Sequence, residues 1–123
     1  MTDKVVDAST IAAITFDELD RTRAEVMLKD TKLFAPLLID YEMASVCLKK
    51  IRNSPSEHAA LIMAFNGYLS LPITRVQPDL AGTIELAAKK KITLYDATYL
   101  WLAKSKNIEL ATLDKKLVRA ARQ

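Results

Sequence analysis

From Lys91 to Asp114 the chain reads KITLYDATYLWLAKSKNIELATLD, and no other stretch constrains the fold as much, because it sets two aspartates into an apolar pattern at the ends of two different elements. The run from Tyr95 to Ala103 predicts a buried helix beginning near Asp96, and Ile108 to Leu113 predicts a short buried strand ending just before Asp114. In an open α/β sheet, ligands sit in the crevice outside the carboxyl ends of the strands, so an acid that follows a strand is well placed for chemistry. Asp7, directly after Lys4 to Val6, repeats that placement.

Around these points the chain alternates short apolar runs with longer helical patterns. Ser9 or Thr10 is expected to cap a helix over Ile11 to Phe16, and Glu18 to Asp30 alternates charge as a solvated surface helix does. Leu33 to Pro36 predicts a strand, followed by a central helix from Leu37 to Ile51, apolar on nearly every face yet containing both Asp40 and Glu42. A break at Asn53 to Pro55 precedes an amphipathic helix, Glu57 to Leu69. Leu71 to Val76 predicts a strand in which Pro72 suits an edge or a strand start. Pro78 to Lys91 predicts a helix whose closing lysines favour the negative helix end, and Lys115 to Arg122 a short basic helix for which Asp114 can serve as N-cap. This order implies an α/β fold of three layers, α/β/α, with a parallel sheet of about four strands flanked by helices, in a single domain over residues 1–123. Right-handed crossovers would bring Asp7 and Asp114 to the same edge of that sheet.

Composition removes several function classes. The single histidine, His58, and the single cysteine, Cys47, cannot build a Cys/His zinc site, and the only two glycines, Gly67 and Gly82, leave no phosphate-binding glycine loop. Cys47 lies in an apolar run and reads as a buried thiol, which suits a reducing cytoplasm. MTDKVVDAST has no signal-peptide pattern, and no apolar run approaches the roughly 18 residues that span a bilayer, so a soluble cytoplasmic protein without a membrane partner is expected. A net charge of +3 permits a polyanionic partner.

Four acids stand in apolar company: Asp7 in VVD, Glu42 in LLIDYEMASV, Asp96 in LYDATYLWLA and Asp114 in IELATLD. Taken singly, each has a plain explanation as a helix cap, a first-turn acid or a solvated group. Taken together, buried carboxylates require compensation, and no lysine or arginine lies inside these runs. A hard divalent cation, Mg²⁺ or Mn²⁺, is the economical compensation, and phosphodiester hydrolysis is the matching reaction. Periodicity does not decide between Asp40 and Glu42.

The segments VVDAST at 5–10, LLIDYEMASVCLKK at 37–50, LYDATYLWLA at 94–103 and LATLDKKL at 110–117, in that order, resemble the PIN-domain family and within it the VapC-type toxins. The resemblance implies a Mg²⁺- or Mn²⁺-dependent endoribonuclease, with Asp7, Glu42, Asp96 and Asp114 as the catalytic, metal-binding acids and Glu42 chosen over Asp40. It assigns Ser9 and Thr112 supporting roles beside the acids. It further implies an RNA substrate, a homodimer and a small antitoxin partner. Some members of that family carry a further acid just after the last motif aspartate, and here Lys115 and Lys116 stand there instead.

Among the many basic residues, Lys115, Lys116 and Arg119 are the best placed for RNA phosphates because they adjoin Asp114 in sequence. Tyr95, Tyr99 and Trp101 read as core or dimer contacts, or as platforms for unpaired bases. Other readings are a PIN nuclease of housekeeping RNA processing, a PIN fold that only binds, and a receiver-like signalling module. The last needs a lysine where Asp114 stands.

Overall fold

The computed structural model describes residues 1–122. Four parallel strands form one sheet: β1 (Thr2–Val6), β2 (Thr31–Pro36), β3 (Ile73–Val76) and β4 (Glu109–Ala111), in the order β3-β2-β1-β4. Seven helices flank it among the described residues: α1 (Ala8–Thr15), α2 (Arg21–Leu28), α3 (Leu38–Asn53), α4 (His58–Leu69), α5 (Leu80–Lys90), α6 (Leu94–Lys106) and α7 (Lys115–Arg122). The architecture is the expected three-layer α/β/α arrangement. β3 is an edge strand, and Pro72 precedes it, where a missing N–H removes no ladder bond.

β1 is central, with Val5 and Val6 fully buried between β2 and β4. Val6 pairs in register with Ala111, and the Asp7 N–H donates to the Ala111 carbonyl at 3.3 Å. The turns that follow β1 and β4, carrying Asp7 and Asp114, therefore emerge side by side at the carboxyl ends of adjacent strands.

The expectation that residues 37–51 form the central helix needs correction. α3 buries one stripe, Ile39, Met43 and Cys47, at helical spacing and leaves Tyr41 and Leu48 exposed. The helix nearest the middle is α6, which packs on β1, β2 and β4 and buries Ala97, Thr98, Tyr99, Leu100, Leu102 and Ala103. α5 lies against α6, and Gly82 makes the approach close. A Cβ there would sit 2.7 Å from both the Trp101 indole nitrogen and an Asp79 carboxylate oxygen.

The cap of α1 differs from expectation, and at α6 the structure decides between the two readings of Asp96. Asp7, not Ser9 or Thr10, caps α1, accepting from the Thr10 N–H, while Ser9 and Thr10 lie inside the helix. α6 begins at Leu94 with Thr93 as its cap, so Asp96 is a first-turn acid whose own N–H is the capped donor. Among the described residues no helix is long and apolar enough to cross a membrane.

Candidate active-site cleft

At the carboxyl ends of β1 and β4 a cleft of about 580 Å³ opens, and Asp7, Glu18, Asp20, Glu42, Asp96 and Asp114 all line it. Among the described residues no lysine or arginine does. The four acids singled out in the sequence come from four places, the β1–α1 turn, α3, the first turn of α6 and the β4–α7 turn, and the fold brings them to this one opening. Glu18 and Asp20, from the segment between α1 and α2, were not foreseen, because a charged stretch reads as solvated surface. Glu18 is held by Lys50 at 2.8 Å.

Asp7 is the most buried of the six acids and the most heavily bonded. The Ser9 hydroxyl lies 2.9 and 3.0 Å from its two oxygens, the Thr10 N–H and hydroxyl lie 3.2 and 2.9 Å from Oδ1, and the Thr112 hydroxyl donates to Oδ2 at 2.5 Å. A carboxylate offers about four lone-pair positions, so Asp7 is satisfied by the protein. Even so, burial raises its pKa, outweighing the lowering by Thr112, Ser9 and Thr10.

Ser9 and Thr112 also tie the two strand-end turns together. Ser9 Oγ accepts from the Leu113 N–H at 3.3 Å, and Thr112 Oγ1 accepts from the Asp114 N–H at 3.0 Å, each while donating to Asp7. Asp114 in turn accepts from the Lys116 N–H at 2.9 Å through Oδ1, so it both caps α7 and lines the cleft. Lys115 and Lys116 are exposed at the start of α7, with exposed Arg119 one turn further on.

Glu42 is held by a residue the sequence pattern assigned to stacking or core. Tyr99, 2% exposed, donates its hydroxyl to Glu42 Oε1 at 2.5 Å from α6. Burial raises the Glu42 pKa; the Tyr99 hydrogen bond opposes this, and the charges of Asp96 and Asp7 add to it. Asp96 is likewise raised, by burial first and then by Asp114, against lowering by Thr93 and Lys116. The four acids thus sense one another in a chain of like charge.

The donor set fits a hard divalent cation: carboxylate and hydroxyl oxygens, no lysine or arginine in the lining among the described residues, and acids whose mutual repulsion such an ion would relieve. Among the described residues no group of three or more acids converges closely enough to enclose an ion. Mg²⁺ keeps several waters and takes one or two carboxylates, so it does not need a group of three. Asp96 and Asp114, which act on one another and are less saturated than Asp7, are the pair that would hold it, with the Glu42 charge beside them. Size alone does not mark this cleft: a cavity of about 620 Å³ lies beyond β4, but its one acid, Glu109, is paired with Lys4.

The PIN domain family model matches residues 4–123. No curated protein matches the chain. Among solved structures, PAE2754 from Pyrobaculum aerophilum is similar with a TM-score of 0.78 and 24% identity, over 98% of this chain and 86% of that one. VapC20 from Mycobacterium tuberculosis, described as a sarcin-ricin loop cleaving toxin, is similar with a TM-score of 0.69 and 16% identity, over 95% of this chain and 94% of that one. At these identities the two structures bear on the fold, whereas the match over residues 4–123 bears on the family, and the chain belongs to the PIN domain family.

Proposed function

We propose that this chain is a Mg²⁺- or Mn²⁺-dependent endoribonuclease and the toxin of a toxin–antitoxin pair. The observation that carries the reading is the cleft itself, lined by six acids and no cation at the carboxyl ends of parallel strands. Membership of the PIN domain family supports nuclease chemistry, and the likeness to a VapC toxin supports the toxin role. The reaction is hydrolysis: a water oxygen bonds to phosphorus, a ribose–phosphate P–O bond breaks, and the leaving oxygen gains a proton. A divalent ion held by Asp96 and Asp114, with the Glu42 charge beside it, would supply charge neutralisation for the phosphate and a water of lowered pKa. Asp7 locks the β1–α1 and β4–α7 turns through Ser9, Thr10 and Thr112, fixing where Asp114 points. Tyr99 occupies Glu42 Oε1 and leaves the other oxygen to accept a proton from water. Lys116, in the first turn of α7, and Arg119, one turn further on, supply positive charge for the RNA backbone.

The test is cleavage of RNA by purified protein with Mg²⁺ or Mn²⁺. Loss of cleavage on chelation and in Asp96→Asn supports the mechanism, and robust cleavage that survives both sinks it. The homodimer is supported by the exposed apolar side chains of the packed pair α3 and α4, among them Tyr41, Leu48, Met63 and Leu69. Sedimentation should show a dimer that Met63→Glu weakens. Co-purification with the small protein encoded beside it would identify the antitoxin, and its absence would favour a housekeeping nuclease.

A further inference from the structure

A second cavity meets the acid cleft at Asp96 and has the opposite charge. This groove, of about 240 Å³, is lined by Lys90, Lys91, Lys116 and Arg119, with Asp96 its one acid. It lies where the end of α5 meets the beginnings of α6 and α7, so one negative and two positive helix ends lie near it and the side-chain cations set its charge. Its volume equals that of roughly eight waters, room for a phosphate and part of its ribose.

Among the described residues Lys91, Lys116 and Arg119 form no salt bridge, as is true of most basic residues of this chain, so what distinguishes them is their convergence on one groove. Lys91 also holds a left-handed backbone, with φ 57°, at the end of α5. The other three left-handed residues are Asp17, Asp30 and Asn107, types whose short polar side chains tolerate that conformation. Lys91 has no such local compensation, and glycine is the usual residue at a helix end of this geometry. A lysine at that bend carries its charge into the groove instead.

We propose that this groove is a phosphate-binding subsite that holds a backbone phosphate of the RNA strand next to the one positioned in the acid cleft. The inference rests on the nuclease reading, which supplies the polyanion. A strand approaching a cleft of six acids is repelled, and the groove provides the opposing attraction immediately beside them, with Asp96 shared between the two. Contacts of this kind position a strand without reading its sequence, so the groove acts alike on RNAs of different sequence.

The test is binding of a short labelled single-stranded oligoribonucleotide, followed by fluorescence anisotropy in EDTA over a range of salt. Lys91→Gln/Arg119→Gln is compared with Lys32→Gln/Lys106→Gln, which removes the same charge beside Phe34, remote from the acids. The groove pair should weaken binding roughly tenfold and lower the salt slope by about 0.7 for each phosphate no longer neutralised, while the control pair changes little. Lys116→Gln/Arg119→Gln should act in the same way and leaves the end of α5 untouched. Equal losses in groove and control pairs, no loss in either, or no measurable binding by the wild type overturns the proposal. Because no divalent ion is present, the binding result is independent of cleavage; a protein that binds through the groove yet cuts no RNA with Mg²⁺ or Mn²⁺ would sink the nuclease reading alone.

Discussion

Asp40 and Glu42 stand two residues apart on one helix, and their surroundings are opposite. Asp40 accepts from the Tyr68 hydroxyl at 2.6 Å and from Arg75 Nε at 2.9 and 3.1 Å, and the Arg75 guanidinium lies 5.4 Å from the Tyr68 ring centroid. Glu42 also takes a tyrosine hydroxyl, from Tyr99, but its charged neighbours are Asp96 and Asp7. Residues two apart do not share a helix face, so α3 ties itself to α4 and β3 on one side and carries a charge to the cleft on the other. Both acids have a hydroxyl partner; only Asp40 has a cation. A carboxylate paired with arginine is a structural tie, and one surrounded by its own kind awaits a ligand.

The largest expected contrast is in catalysis. Glu42→Gln should lower single-turnover RNA cleavage about a thousandfold, the scale of several kcal/mol of charge stabilisation, while Asp40→Asn stays within a few-fold of wild type. A large loss in Asp40→Asn with the fold intact would break the comparison. The contrast should reverse in stability. Arg75→Met leaves Asp40 without its cation and should cost about 1–3 kcal/mol by urea denaturation, less than a fully buried pair because Asp40 is about a third exposed. Glu42→Gln, measured without divalent ions, should leave stability unchanged or raise it.

This difference was only partly legible in the sequence. Short apolar runs closed by acids located β1 and β4 and the turns after them, because strand burial and the carboxyl-end crevice are both local signals. Periodicity left Asp40 and Glu42 undecided, since their partners lie far away: Arg75 is 35 residues from Asp40, and Tyr99 is 57 from Glu42. Tyr99 gave no sign of its role, because a tyrosine in an apolar run packs its ring as any aromatic does and only the fold shows where the hydroxyl ends. The capping of α1 was misjudged for a similar reason. Ser9, Thr10 and Asp7 are all good caps, and the choice fell to the acid because Thr112 arrives from β4 to share it. The burial of α6 over α3 followed from sheet order, which apolar content alone does not encode.

A smaller effect is set by pH. Asp7, Glu42 and Asp96 all have raised pKa values in the folded protein. Between the ordinary values, 3.8 for aspartate and 4.5 for glutamate, and the raised ones, the unfolded chain binds fewer protons than the folded chain. Without divalent ions, stability should therefore fall as pH rises through that window and level off above it. Urea midpoints measured against pH in EDTA check this, and Asp96→Asn should flatten the curve. Added Mg²⁺ should restore stability at neutral pH in the wild type and do less in Glu42→Gln, since an ion that binds only the folded state stabilises by mass action. Stability that rises with pH through the window would place a cation near these acids and erase the difference from Asp40.

The two tyrosines give the finest test, because each removes a single hydroxyl from an otherwise intact ring. Tyr68→Phe should lower stability by about 1 kcal/mol, the ordinary worth of a hydrogen bond, and leave cleavage nearly unchanged, since Arg75 still holds Asp40. Tyr99→Phe removes the hydrogen bond that holds the Glu42 carboxylate. Its effect should appear in the maximal cleavage rate more than in RNA affinity, because the bond orients a carboxylate and touches no phosphate. The same bond lowers the Glu42 pKa against the effect of burial, so its removal should move the acidic limb of the rate profile to higher pH. A purely structural hydroxyl would change stability and leave that limb in place, and such a result would make Tyr99 the counterpart of Tyr68 instead of its opposite.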